Sequence, residues 1–266
     1  MKKIMLLWIG LALALMACGH DEQPESKQPD TDSPTEETAE SNENNSNQDS
    51  KDINQSEEPA PEEEEIGPQL VLASEDPDNI HILVNKTHFL PDDYVPADLV
   101  VPNVPFPFEE FAEKKQLRLE AATALEALFQ ASKKAGLDLV AASGYRSYER
   151  QAVIYQNNVE KNGKKHADKF SAQPGSSEHQ TGLAMDVTSA EMAFALEQTF
   201  EQTDEGAWLA DNAYKYGFVI RYPEGKEAIT GYSYEPWHIR YVGKELAKEL
   251  YTRSLTLEEY YDLQQK

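Results

Sequence analysis

The sequence predicts an α+β fold, in which one compact domain with a small antiparallel sheet and flanking helices follows a disordered tether. Three observations lead to this fold class. Helical and strand-like segments follow one another without the regular strand–helix–strand alternation of a parallel sheet. The composition changes near residue 67, which leaves about 200 residues to build one core. The chain shows no internal repeat, and its single cysteine excludes an internal disulfide framework.

The N-terminus has the pattern of a secretory signal, which we assign to residues 1–17. Two lysines precede an apolar run that is shorter than the roughly 20 residues of a membrane-spanning helix. The run ends in Leu-Met-Ala-Cys, which resembles a bacterial lipobox, so Cys18 would carry the lipid. An ordinary signal peptide with a chance cysteine is the alternative. Because two acyl chains suffice for stable anchoring, we expect the protein at the extracytoplasmic face of the cell membrane.

Residues 18–67 form the predicted tether, with Cys18 at its start. Residues 21–65 contain 17 acidic side chains and two lysines, and very few large apolar ones. Such a composition cannot offset the entropic cost of ordering the chain. The formal net charge of −24 for the whole chain also argues against a nucleic-acid partner, because phosphate binding needs clustered lysines and arginines. Residues 68–266 remain as the folded domain.

The first half of this domain is predicted to be partly irregular. Two short apolar runs, 70–72 and 80–84, predict strands. The proline-rich stretches 90–96 and 102–107 predict an ordered connection without regular structure. A helix is predicted over 119–135, since apolar side chains recur on one face and two lysines near its end suit the helix dipole.

The second half alternates between strands and helices, with glycines marking several helix ends. The predicted strands are 137–141, 183–187, 218–222 and 237–242. The predicted helices are 148–160, 189–201, 206–216 and the C-terminal segment.

Two of the six histidines have possible metal-binding partners. His179 lies in a polar loop that runs into the strand containing Asp186, and His238 follows Glu235 by three residues beside Trp237. A carboxylate in an apolar strand is costly to bury unless it is paired or bound to a metal. Two imidazoles and one carboxylate would hold zinc with one position open for water, and Glu235 would be a base toward that water. An ordinary Asp–His pair with an exposed glutamate is the alternative.

Nucleophilic catalysis is the weaker hypothesis. The only cysteine lies at the far end of the tether. The chain has no Gly-x-Ser-x-Gly segment, which a serine hydrolase of the α/β type would carry. It also has no Ser-x-x-Lys segment with the partners of a penicillin-binding protein.

Three motifs, in this order, resemble the VanY-like zinc carboxypeptidases, which trim the stem peptides of bacterial peptidoglycan. They are Ser-Gly-Tyr-Arg-Ser at 143–147 with Gln151, the segment from Ser177 to Asp186, and Glu-Pro-Trp-His at 235–238. The similarity extends over about residues 80–245. The upstream segment 83–96 resembles the LD-carboxypeptidase B branch of this family in particular.

The resemblance implies a compact α+β fold and roles for individual residues. One zinc ion per chain would be bound by three ligands: His179, Asp186 and His238. Glu235 would be the general base, and Arg146 would stabilise the charge on the scissile carbonyl oxygen or hold the substrate carboxylate. The further substrate contacts would be Gln151, Ser177 and Tyr222.

The resemblance favours an LD-carboxypeptidase, which removes the C-terminal D-alanine from tetrapeptide stems. A DD-carboxypeptidase that acts on the D-Ala-D-Ala end of pentapeptides is the first alternative. A non-catalytic wall-peptide binding module is the second, although such a protein would commonly have lost Glu235 or a metal ligand. A structural wall protein is the third, and it would not require the three ligands together. We expect a monomer whose partners are stem peptides and the membrane.

Overall fold

The computed structural model describes residues 67–72 and 75–266. The predicted signal sequence, Cys18 and the tether up to residue 66 lie outside the described residues. The strands are β1 (Val71–Leu72), β2 (Ile82–Leu83), β3 (Leu99–Val100), β4 (Leu117–Arg118), β5 (Leu139–Ser143), β6 (Ala184–Ser189), β7 (Phe218–Ile220) and β8 (His238–Tyr241). The α-helices are α1 (Leu119–Lys134), α2 (Tyr148–Asn162), α3 (Lys164–Phe170), α4 (Asp204–Asn212), α5 (Glu227–Thr230), α6 (Lys244–Arg253) and α7 (Leu257–Gln264). Short 3₁₀ helices cover Glu113–Lys115, Glu178–Thr181, Gln198–Gln202 and Ala213–Tyr216.

Four strands form the central sheet, in the order β5–β6–β8–β7, and each neighbouring pair is antiparallel. Strand β6 is buried along its whole length because it lies inside the sheet with a neighbour on each side. Strands β3 and β4 form a separate antiparallel pair, whereas β1 and β2 pair in parallel. Helices combined with a small antiparallel sheet confirm the predicted α+β class.

Two apolar clusters stabilise this arrangement. The larger one contains Leu125 of α1, Val187 of β6 and Ile239 of β8, so α1 and the central sheet share one core. The smaller one contains Leu83 of β2 and Leu246 of α6. Each such side chain contributes about 1.5–3 kcal/mol when it is fully buried. The larger cluster includes residues of both β6 and β8, and these strands carry two of the predicted metal ligands.

The predicted helices 119–135 and 148–160 are confirmed to within two residues. Helix α2 begins after Ser147, whose hydroxyl accepts a hydrogen bond from the Arg150 N–H at 3.3 Å. It ends at Gly163, which has a φ of +84° and therefore suits glycine. The sequence reasoning missed α3, which starts directly after this glycine.

The predicted helix over 189–201 is wrong. The chain turns at the end of β6, and the Phe194 N–H donates to the carbonyl oxygen of Ser189 at 3.2 Å. The Thr188 hydroxyl donates to the carbonyl oxygen of Ala195 at 2.8 Å. A 3₁₀ helix follows only at Gln198–Gln202. The helix-favouring composition of this segment is overridden by turn hydrogen bonds that fix the exit from the buried strand.

Among the described residues, no helix is both long enough and apolar enough to span a membrane.

Candidate active site

The central sheet brings the three predicted metal ligands together. Asp186 of β6 lies directly opposite His238, the first residue of β8, in the antiparallel register. His179 lies in the 3₁₀ helix before β6, and this helix ends at Gly182, which has a φ of +66°. One donor atom from each of the three side chains lies within 4.8 Å of the others, and all three residues are buried. The cluster is therefore compact enough to surround a single ion.

Hydrogen bonds orient both imidazoles so that one nitrogen of each faces Asp186. His179 Nδ1 lies 2.8 Å from the carbonyl oxygen of Gly144, and its Nε2 lies 3.4 Å from Asp186 Oδ2. In His238 it is Nδ1 rather than Nε2 that faces Asp186, at 2.9 Å from Oδ1. Position 144 requires glycine, because a Cβ there would lie only 2.5 Å from the carbonyl oxygen of Gln116. Two nitrogens and one carboxylate oxygen are a donor set that fits zinc.

The electrostatics of the cluster also favour a cation. Burial lowers the pKa of His179 to about 3, so this imidazole is neutral and free to donate a lone pair. Burial would lower the pKa of His238 too, but its hydrogen bonds to Asp186 and Glu178 outweigh burial and raise that pKa to about 9. Burial alone would raise the pKa of Asp186, but the two imidazoles hold it below its ordinary value. Asp186 is therefore an anionic oxygen donor between the two imidazoles.

Glu235 lies beside the cluster on the loop that precedes β8. Its N–H donates to the carbonyl oxygen of Tyr222 at 3.0 Å, and its Oε2 lies 4.0 Å from His238 Nδ1. The side chain remains 27% exposed, so solvent reaches it from the cavity. Burial is the main cause that raises the pKa of Glu235 to about 7, and nearby Asp186 adds to the rise. A carboxylate with this pKa accepts and releases protons at neutral pH, as a general base must.

Arg146 faces the same cavity and is held by neutral partners. Its Nη1 donates to Gln151 Oε1 at 2.8 Å, and its Nη2 donates to the Ser143 hydroxyl at 3.4 Å. The amide nitrogen of Gln151 in turn donates to the carbonyl oxygen of Ala172 at 2.6 Å. Both polar groups of Gln151 are thus engaged, and its clearest effect is to position the guanidinium. Because neither of these hydrogen-bond partners within the described part of the chain is an anion, the charge of Arg146 is available to an anionic ligand.

The cavity above the cluster has a volume of about 210 Å³. Ser177 and Tyr222, two of the predicted substrate contacts, line it, and the Tyr222 ring lies 5.0 Å from the His238 ring between centroids. Ile154 and Phe170 form an apolar wall that the sequence reasoning did not include. Phe170 remains 51% exposed, so this wall is open to a ligand. The structure thus places every predicted site residue of the described domain around one cavity.

The sequence reasoning missed a cluster of buried charges behind His238. Glu178 Oε1 accepts hydrogen bonds from Arg221 Nε at 2.7 Å and from Arg240 Nη1 at 2.8 Å. Arg221 also makes a two-pronged contact to Glu258 of α7, at 2.6 and 2.9 Å. Burial alone would raise the pKa of Glu178, but the two guanidinium groups hold it well below its ordinary range. The sequence does indicate such a cluster, because Arg221 and Arg240 interrupt apolar strand segments. A buried arginine needs an anionic partner.

A buried His–Asp–His cluster, a proton acceptor at its edge and a cation that faces the same cavity together are typical of mononuclear metal-dependent hydrolases. Comparison with known proteins agrees with this class. A family model described as VanY, D-alanyl-D-alanine carboxypeptidase, matches residues 114–244. The chain belongs to this family of carboxypeptidase hydrolases.

Three relatives illustrate the similarity. A Bacillus subtilis (strain 168) protein named "Putative carboxypeptidase YodJ" is 55% identical over 188 residues, which cover 71% of this chain and 69% of the relative. The solved structure of the LdcB LD-carboxypeptidase is 53% identical with a TM-score of 0.70, and the match covers 74% of this chain and 90% of LdcB. A mutant of the vancomycin-resistance D,D-pentapeptidase VanY, solved with Zn(II), is 34% identical with a TM-score of 0.54. That match covers 69% of this chain and 98% of the VanY chain.

Proposed function

We propose that the protein is a zinc-dependent LD-carboxypeptidase that removes the C-terminal D-alanine from peptidoglycan tetrapeptide stems. The observation that carries the proposal is the buried cluster of His179, Asp186 and His238 with Glu235 at its edge. The 53% identity to the LdcB LD-carboxypeptidase supports the LD preference, and the VanY structure with Zn(II) supports the choice of metal. One zinc ion per chain would be held by these three ligands.

The residues of the chain divide the reaction between them. A bound zinc ion supplies Lewis acidity, which lowers the pKa of a water toward about 7 and polarises the scissile carbonyl. Glu235 takes the proton from the attacking water and passes it to the departing amine, which its raised pKa permits. Tyr222 holds the backbone of Glu235 in place through the 3.0 Å hydrogen bond to its carbonyl oxygen.

Arg146 binds the negative charge of the substrate. Its guanidinium is anchored by Gln151 and retains donors toward the cavity, where it meets the terminal carboxylate of D-alanine or the oxyanion that develops. Its burial strengthens this interaction, because water screens it less. Ser177 and Tyr222 complete the wall around the scissile bond in this proposal.

The apolar wall of Ile154 and Phe170 supports a tetrapeptide substrate. In an LD-substrate the residue before the terminal D-alanine is a diamino acid, whose methylene chain covers such a wall. In a DD-substrate that residue is alanine, whose methyl group leaves most of the wall exposed to water. The longer side chain therefore gains more from burial, at about 25 cal/mol per Å² of apolar surface. DD activity is the competing function, because the VanY relative is a D,D-pentapeptidase.

The substrate prediction is tested with separate tetrapeptide and pentapeptide stems and the full chain. We expect kcat/KM for D-alanine release to be about tenfold or more higher on the tetrapeptide, which corresponds to about 1.4 kcal/mol or more of transition-state discrimination. A chelator should abolish the release, and added zinc should restore it. Mass analysis of the product separates a shortened pentapeptide from a shortened tetrapeptide.

The reverse preference would move the protein to the DD-carboxypeptidases with the same mechanism. Zinc binding without release of D-alanine from either stem would contradict both activities. That result would favour the wall-peptide binding module.

We propose further that Cys18 carries a lipid that anchors the protein to the cell membrane at its extracytoplasmic face. The lipobox-like segment before this only cysteine supports the proposal. In the native host, Cys18→Ser is expected to move most of the protein from the membrane fraction to the medium, because the acyl chains supply the anchoring free energy, about 0.8 kcal/mol per buried CH₂. Unchanged membrane fractionation of the variant would contradict the anchor.

A further inference from the structure

We propose that Glu178 is a positioning residue of the metal site, whose carboxylate accepts the Nε2–H of His238 and so keeps the Nδ1 lone pair of that imidazole directed at the metal. This inference rests on the proposed zinc site, in which His238 is a ligand and Glu178 contacts the ring nitrogen that does not face Asp186.

The two nitrogens of His238 face two different carboxylates. Nδ1 lies 2.9 Å from Asp186 Oδ1, inside the ligand cluster, and Nε2 lies 3.4 Å from Glu178 Oε2, on the opposite side of the ring. A neutral imidazole carries one N–H, so Nδ1 offers a lone pair only when Nε2 holds the proton. His179 meets the same requirement through its other nitrogen, since Nδ1 bonds to the carbonyl oxygen of Gly144. The two ligands are thus oriented by different acceptors.

The position of Glu178 is itself fixed by the surrounding charges. Its Oε1 is shared by Arg221 and Arg240, which leaves Oε2 for the imidazole. Arg240 is held on its far side by the carbonyl oxygens of Ile80 and Ile82, at 3.2 and 2.8 Å. The side chains of Glu178 and of both arginines are fully buried, so the carboxylate cannot turn away toward water. One oxygen compensates the arginines and the other faces the metal ligand.

A purely structural explanation is that Glu178 serves only to neutralise the buried arginines. Glu258 provides a matched control for that explanation, because it also makes an ion pair with Arg221. Its Oε1 additionally accepts a hydrogen bond from Asn85 at 3.1 Å, and its hydrogen bonds do not include His238. If charge compensation is all that matters, Glu178→Gln and Glu258→Gln should affect the metal site alike.

The test compares the two variants in the full chain by two measurements. Zinc affinity is measured by competition with a chelating dye, and the ring N–H proton of His238 is observed by ¹H–¹⁵N NMR of the zinc-loaded protein. We expect Glu178→Gln to weaken zinc binding about 10–100-fold and Glu258→Gln by less than about threefold, because an acceptor behind a metal-bound histidine raises its basicity. The ring proton should be protected from exchange in the wild type and in Glu258→Gln, and lose that protection in Glu178→Gln.

Equal weakening of zinc binding in both variants would overturn the proposal. Unchanged zinc affinity and an unchanged ring proton in Glu178→Gln would also overturn it. If Glu178→Gln does not fold, Glu178→Asp replaces it with the same expectations, because it retains a charge for the arginines but withdraws the carboxylate by one methylene. Failure of the wild-type chain to bind zinc would refute the proposed function as well, whereas the two outcomes above refute only the role of Glu178.

Discussion

Replacement of Glu235 by glutamine is expected to lower kcat for D-alanine release by roughly 10²–10⁴-fold, the range that a general acid–base group contributes. Glutamine has nearly the same shape as glutamate but cannot accept the proton of the attacking water. The zinc ligands remain in place, so zinc content and KM should change little. The measurement is steady-state kinetics on the preferred stem, together with the zinc content of the purified variant.

The exposed Glu227 of α5 provides the control, since Glu227→Gln removes one negative charge away from the cavity and should leave kcat unchanged. A kcat for Glu235→Gln within about tenfold of the wild type would assign the proton transfer to another group. Retained binding of the stem by the inactive variant would show that recognition and turnover are separate, which is the distinction between an enzyme and a wall-peptide binding module.

Replacement of Asp186 by asparagine is expected to abolish measurable activity through loss of the metal. Asp186 is the only anion among the three proposed ligands, and it contacts both imidazoles at 2.9 and 3.4 Å. Its neutralisation removes the charge that balances a divalent cation in a buried site. We expect zinc affinity to fall by more than the roughly 100-fold that the loss of an outer hydrogen bond costs. Zinc content by mass spectrometry and D-alanine release check the two effects together.

Asp262 lies exposed on α7, and Asp262→Asn should retain full zinc content and activity. A folded Asp186→Asn that still binds one zinc ion tightly would remove Asp186 from the ligand set. The metal would then be held by the two histidines with another donor, and Glu235 would become the first candidate because of its 4.0 Å distance from His238.

Much of the chemistry was accessible from the sequence because it depends on residue types in short segments. Glu235 and His238 belong to one four-residue motif, and His179 and Asp186 lie seven residues apart, so each pair is nearly local. The α+β class followed from the order of apolar segments, and the structure confirms it. The roles of the individual residues remain predictions that the substitutions above test.

Local patterns failed where the environment of a segment overrides its composition. The helix expected over 189–201 is absent because turn hydrogen bonds form at the end of β6 instead. The pattern also did not show that the Gln151 amide, which lines the cavity, lies between Arg146 and the carbonyl oxygen of Ala172. Both outcomes depend on neighbours that are distant in the chain or on hydrogen bonds that a pattern of residue types does not encode.

The sequence by itself determined which metal-binding and proton-accepting side chains are available, because two histidines, an aspartate and a glutamate occur in recognisable motifs. Only the tertiary structure decided which nitrogen of each imidazole faces Asp186 and which acceptor the other ring nitrogen contacts. His179 is oriented by the backbone of Gly144, 35 residues away, and His238 faces Glu178, 60 residues away. The antiparallel pairing of β6 with β8 places Asp186 opposite His238, although 52 residues separate them. These contacts arise from strand register and buried charge pairing, which depend on the whole fold rather than on any one segment.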